Sequence, residues 1–202
     1  LIGMGALGLL FGSLIYKNCG PEYVDFILDD DRYASYRDRR FFCNDEWIPF
    51  RLTRAGEAEP ADLLLVCTKA KGLEDAIESV KKAVGRDTII ISVLNGITSE
   101  QMIGEAYGFE KIVHCVAQAM DAMKFGDKMS YTKAGELRIG IAGSGKPENL
   151  KKVEAFFNRA GIAYVEEEDI LRRLWSKFML NVGVNQACMV YGTTYGETIR
   201  EG

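Results

Sequence analysis

Short apolar runs and longer amphipathic stretches alternate along this chain, and each apolar run ends in small or polar residues. Val24 to Leu28, Leu63 to Cys67 and Thr88 to Val93 are nearly unbroken apolar segments, too short for helices and suited to strands buried on both faces. Lys111 to Met120 and Ile162 to Val165 read as further strands. Between them, helices are predicted from the glycines near the start to about Asn18, from about Arg32 to Arg39, Glu74 to Val84, Ser99 to Tyr107, Asn149 to Ala160, and Ile170 to Val190. Cys19-Gly20-Pro21 and Gly161 supply stop signals. Phe41 to Glu59 predicts a hairpin or irregular excursion around Trp47 and Phe50. The glycine-punctuated alternation from Phe125 to Gly145 predicts an antiparallel hairpin of Ser130–Lys133 with Glu136–Ile141. The whole pattern predicts an α/β fold: a mostly parallel sheet over 1–168, followed at 169–202 by the start of an all-helical second domain.

Chemistry enters at the first strand-to-helix corner, LIGMGALGLLFG. Gly3, Gly5 and Gly8 have the G-x-G-x-x-G spacing of a dinucleotide-binding, Rossmann-type βαβ unit. In such a turn the first glycine permits the bend, the second lets backbone approach a pyrophosphate, and the third lets helix and strand pack closely. Unpaired amides and the helix dipole then face the phosphates. The second strand ends in Asp29, Asp30, Asp31 and Arg32. A carboxylate there suits the ribose hydroxyls of NAD, an arginine suits the 2′-phosphate of NADP, and any one aspartate can equally be a helix cap. Lys69 and Asn95 follow the next two strands at their carboxyl ends, where ligands of open α/β sheets bind. A surface lysine and an Asn-Gly turn are the plain alternatives. His114 reads as a buried structural imidazole.

The helix from Ile170 to Val190 is apolar in most directions: Leu174, Trp175, Phe178, Met179, Leu180, Val182, Val184 and Met189 leave few faces for water. One polar line runs through it, Lys177, Asn181 and Asn185, spaced four and four. At about 100° per residue these side chains share one face. Buried without partners they would each cost several kcal/mol, roughly, so a polar cavity is expected beside them. A solvent stripe would usually carry more than one charge.

Bulk properties narrow the field. The 202 residues are 48% hydrophobic and 27% charged, enough for one α/β domain and part of another. No apolar run approaches bilayer length, which predicts no membrane role. A net charge of −4 and a pI near 5.2 argue against a nucleic-acid partner. Five scattered cysteines without a C-x-x-C pair predict reduced thiols, no metal site and a cytoplasmic location. No signal peptide is visible. The chain opens on Leu1 inside its first strand, so an N-terminal piece is expected to precede it.

Taken together, the GMGALG turn, LLLVCTKA ending at Lys69-Ala70, LNGI around Asn95, and ILRRLWSKFMLNVGVNQ from Ile170 to Gln186 resemble the ketopantoate reductases (2-dehydropantoate 2-reductases), in that family's order over nearly all of the chain. The resemblance implies NADPH-dependent reduction of 2-dehydropantoate to (R)-pantoate on the way to pantothenate. It implies that Gly3, Met4, Gly5, Ala6, Leu7 and Gly8 hold the pyrophosphate, that Lys69 and Asn95 contact the cofactor, that Lys177 is the general acid, and that Asn181 and Asn185 bind the 2-oxo acid. Arg32 is the local candidate for the 2′-phosphate, with NAD left open by the aspartates beside it. Tyr195 stands where the family has an asparagine, and the family's late serine and glutamate have no match before Gly202. A same-fold reductase of another 2-oxo or 3-hydroxy acid, and a non-catalytic dinucleotide-binding regulatory protein, are the alternatives. A homodimer is compatible with all three.

Overall fold

The computed structural model describes residues 1–198. Leu1 and Ile2 lead into the glycine turn and helix α1 (Ala6–Cys19). Gly20, at φ +119°, closes that helix and Pro21 starts the turn that delivers β1 (Asp25–Leu28). Helix α2 (Asp30–Tyr36) follows, shorter and earlier than the sequence predicts because Asp29 caps it, accepting from the Arg32 amide at 2.7 Å. The expected excursion then resolves into β2 (Phe41–Cys43) and β3 (Glu46–Ile48), an antiparallel hairpin, and β4 (Arg51–Arg54), parallel to β1.

The central part runs β5 (Leu63–Val66), α3 (Leu73–Ser79), β6 (Ile89–Ser92), α4 (Ser99–Tyr107) and β7 (His114–Gln118). The stretch expected as one helix to Val84 breaks after Ser79 and finishes as a tighter turn at Lys81–Ala83. Ile2 bridges to both Ile27 and Val66, so the opening residues lie between β1 and β5; β5 and β6 pair in parallel, and Ile90 bridges to Ile112.

A second departure concerns the glycine-rich region. Strands β8 (Met123–Phe125) and β9 (Lys128–Ser130) form a hairpin with each other, and β9 joins β2 in a four-stranded side sheet. Strand β10 (Glu136–Gly140) pairs antiparallel with β7 and not with Ser130–Lys133. Alternation along a strand fixes which side chains share a face and leaves the partner open. Helix α5 (Pro147–Ala160) then returns the chain to β11 (Tyr164–Glu166), parallel to β10.

Alternate residues of the parallel strands feed two cores. Phe26, Leu28, Leu65, Ile89 and Ile91 meet α1 and α5, while Ile27, Leu64, Val66 and Ile90 meet α3 and α4. That is why these strands read as unbroken apolar runs. Helix α6 (Ile170–Leu180) is capped by Asp169 and rests through Ile170 and Leu174 against Val116 of β7. A π-helical turn at Asn181–Asn185 separates it from α7 (Gln186–Tyr191), and α8 (Tyr195–Thr198) ends the described chain. The single helix expected from Ile170 to Val190 is therefore interrupted. Its apolar surface is also more open than expected: Leu171, Trp175, Met179, Leu180, Val182, Met189, Val190 and Tyr191 are exposed, and of the apolar side chains of α6 Ile170 and Leu174 are the buried ones.

Candidate active site

The glycine turn is built as its spacing implies, each glycine for its own reason. Gly3 has φ +98°, and a Cβ there would lie 2.7 Å from the Cys67 carbonyl. A Cβ on Gly8 would lie 1.9 Å from Gly3 O, inside the turn itself. Gly5, the residue capping α1, is exposed and its Cβ would approach only Cys67 O, at 3.8 Å. Nothing in the fold forbids a side chain at Gly5, so what its bareness serves is an open approach to the first amides of α1. The Met4 side chain is buried in the core on the α1 side, so only its backbone is available to a ligand. Ala6 and Leu7 open the helix and are half-buried.

Lys69 stands at the carboxyl end of β5, two residues beyond the carbonyl that touches Gly3, and its side chain is exposed. Arg32 lies beyond the end of β1, with its Nε 3.4 Å from Asp29 Oδ2. The sequence reading missed Arg54. Strand β4 ends beside β1, in register Leu28 with Arg54, so this guanidinium reaches the same edge; it lies 3.2 Å from Asp30 Oδ1 and 4.6 Å from the Tyr33 ring centroid. Its stretch, Phe41 to Glu59, read only as a hairpin or irregular excursion, which gave this arginine no strand end to stand at.

Beyond the carboxyl end of β6, Lys177 of α6 reaches back over the sheet. Its Nζ donates to Asn95 Oδ1 at 2.8 Å and to the Ala117 carbonyl of β7. Leu94, Asn95, Gly96, Cys115, Val116, Leu174, Lys177 and Phe178 line the small crevice around it. Burial holds the Lys177 ammonium below its ordinary value; the Cys115 sulfur opposes this and the Arg173 charge adds to it. Of the polar line expected to face a cavity, Lys177 lines this crevice, and Asn181 and Asn185 are not among its lining residues. Beyond Lys177 the line changes character: the π turn carries Asn181, half-buried, and Asn185, exposed, and Asn185 Nδ2 donates to Asn181 Oδ1 at 3.2 Å. Such single π turns are frequent at functional sites. The side chain of Tyr195 lies outside the described part of the molecule. His114 is half-buried at the start of β7, and burial lowers its pKa. The five cysteines are free thiols, and burial pushes Cys67 up to about 12. A cavity of about 940 Å³ opens at the opposite edge of the sheet, around Leu1, Asp25 and Leu63, and none of the predicted site residues lines it.

An open glycine turn, a lysine and an asparagine at the next two strand ends, and a half-buried lysine bonded to that asparagine thus all stand at the carboxyl edge of the parallel strands. A family model described as ketopantoate reductase PanE/ApbA matches residues 1–143. The chain belongs to this family. A 2-dehydropantoate 2-reductase of Pyrococcus horikoshii is 28% identical over 189 residues, covering 92% of this chain and 61% of its own. The solved 2-dehydropantoate 2-reductase of Geobacter metallireducens superposes with a TM-score of 0.77 at 26% identity, covering 93% of this chain and 63% of that one. D-mandelate dehydrogenase with NADH shares the fold, with a TM-score of 0.85 at 20% identity over 100% of this chain and 66% of that one. This ketopantoate reductase family chain thus spans a little over six-tenths of the length of these relatives. Among the described residues, no helix is long and apolar enough to cross a membrane.

Proposed function

We propose that the protein reduces 2-dehydropantoate to (R)-pantoate with NADPH, a step toward pantothenate, and that Lys177 is the proton donor. The observation that carries this reading is the bond from Lys177 Nζ to Asn95 Oδ1 at the carboxyl edge of the sheet, where the glycine turn opens, in a chain of this family. Gly3 to Gly8 and the first amides of α1 bind the pyrophosphate, and Lys69 and Asn95 contact the cofactor. Arg32, with Arg54 beside it, binds the 2′-phosphate, and the carboxylates of Asp29 and Asp30 are already committed to the α2 amide and to Arg54. Asn181 and Asn185 hold the 2-oxo acid.

When bound, the nicotinamide supplies the hydride. Reduction of a ketone leaves negative charge on its oxygen, and the Lys177 ammonium stabilises that charge and donates the proton to it. Asn95 and the Ala117 carbonyl hold the ammonium in the crevice, and the lowered pKa brings its acidity nearer to working pH. Residues 1–168 form the dinucleotide-binding domain and 169–202 begin the helical substrate domain. The enzyme works in the cytoplasm and is compatible with a homodimer.

The deciding experiment follows NADPH oxidation by the complete protein with a panel of 2-oxo acids. 2-Dehydropantoate is expected to give the highest kcat/KM. A higher value for another acid would reassign the substrate, and no oxidation with any of them would remove the enzyme reading.

A further inference from the structure

The turn that carries Asn95 is held from behind by three buried side chains. Ser92 ends β6, and Ser99 and Glu100 begin α4; they are 1%, 4% and 6% exposed. The Leu94 amide donates to Ser92 Oγ at 3.3 Å, Ser92 Oγ donates to Ser99 Oγ at 2.9 Å, and Ser99 Oγ donates to Glu100 Oε2 at 2.8 Å. Because the carboxylate oxygen only accepts, Ser99 gives its one hydroxyl proton to Glu100 and must accept from Ser92, so the hydroxyl protons all point one way, toward the carboxyl group. The relay thus ties the two ends of the 93–98 turn to a single buried acid.

A buried acid is a costly way to fill space, since an apolar side chain of similar volume avoids the desolvation. Burial indeed pushes the Glu100 carboxyl up, against the hydrogen bonds from Ser99 and its own amide.

We propose that Glu100 is a positioning residue for the Lys177 site: through Ser99 and Ser92 it clamps the Leu94–Gly96 turn and so fixes Asn95 Oδ1 against the lysine ammonium. The inference rests on the reading of Lys177 as proton donor.

Three variants of the complete protein test it. Glu100→Leu removes the final acceptor, Glu100→Gln keeps an acceptor oxygen at the same reach, and Ser99→Ala cuts the relay with little change in volume. Glu100→Leu and Ser99→Ala are expected to lower kcat about tenfold with KM for the 2-oxo acid unchanged, and Glu100→Gln to restore it. In a Lys177→Ala background, Ser99→Ala should cost nothing further. A second readout needs no turnover. After reductive methylation with ¹³C-formaldehyde, the Lys177 signal, assigned by its loss in Lys177→Arg, should move in Ser99→Ala and Glu100→Leu and return in Glu100→Gln. An unmoved signal with parental kcat in folded Ser99→Ala protein would overturn the proposal. If no 2-oxo acid is reduced but the signal still follows Ser99→Ala, the positioning link stands and the proposed function falls.

Discussion

Lys177 Nζ lies 2.8 Å from Asn95 Oδ1, although 82 residues separate them in sequence. The contact joins a helix that follows the sheet to the turn after β6, and it places the one half-buried ammonium of the crevice on an amide at a strand's carboxyl end. If that ammonium is the acid, Lys177→Ala should lower kcat by roughly 10²-fold or more while leaving nucleotide affinity nearly unchanged. Steady-state kinetics and a fluorescence titration of NADPH check the two halves. Parental turnover in the variant would remove Lys177 from the mechanism.

The same lysine sets a pH dependence. Burial, aided by Arg173, holds its pKa below the ordinary 10.5. A proton donor must be charged, so ketone reduction is expected to be full below the folded pKa and to be lost as pH rises through it, starting below 10.5. A pH profile of kcat shows this limb. In Lys177→Arg, whose guanidinium stays protonated, the residual rate should lose it.

The glycine turn separates folding from binding. An alanine Cβ at Gly5 meets only Cys67 O at 3.8 Å, whereas one at Gly8 would sit 1.9 Å from Gly3 O. Gly5→Ala should therefore fold with a Tm close to the parent and bind dinucleotide about tenfold more weakly or worse, because the added methyl stands in the phosphate approach. Gly8→Ala should lose several degrees of Tm or fail to fold. Thermal melts beside titrations against the fluorescence of Trp47 and Trp175 distinguish the two. Equal affinity in Gly5→Ala and the parent would show that no ligand approaches that amide.

Much of this site could be read from residues alone because it stands where buried strands end. Leu63–Val66 and Ile89–Ser92 are covered on both faces, so their apolar runs announced both the strands and the positions of Lys69 and Asn95 just beyond them. What failed was pairing and continuity. Ser130 belongs to β9, which pairs with β8 and β2, and Glu136–Gly140 pairs with β7; side-chain alternation looks the same for either partner. The π turn at Asn181–Asn185 has only a faint signal, Val182, Gly183 and Val184 being weak helix formers in succession. The Ser92–Ser99–Glu100 relay was invisible because small polar residues near a helix start read simply as caps.

Cofactor choice turns on the carboxyl edge of β1 and β4. Three aspartates precede Arg32 there, a composition that suits NAD, but their geometry tells against a ribose role for two of them. Asp29 accepts the Arg32 amide and lies 3.4 Å from its Nε, and Asp30 lies 3.2 Å from Arg54. These exposed ion pairs contribute little to stability and are readily exchanged for a stronger anion. A 2′-phosphate brings nearly two negative charges and acceptors for both guanidinium groups, and Arg54 is already steadied over the Tyr33 ring. NADPH should thus bind more tightly than NADH. Arg54→Ala should weaken NADPH binding by about tenfold, leave NADH binding nearly as it was, and so reduce the preference; Arg32→Ala should act in the same direction. Titrating both nucleotides against each variant measures the ratio directly. Tighter binding of NADH by the parent protein would reverse the assignment and return Asp31, the one aspartate of the three with no ion pair among the described residues, to the ribose.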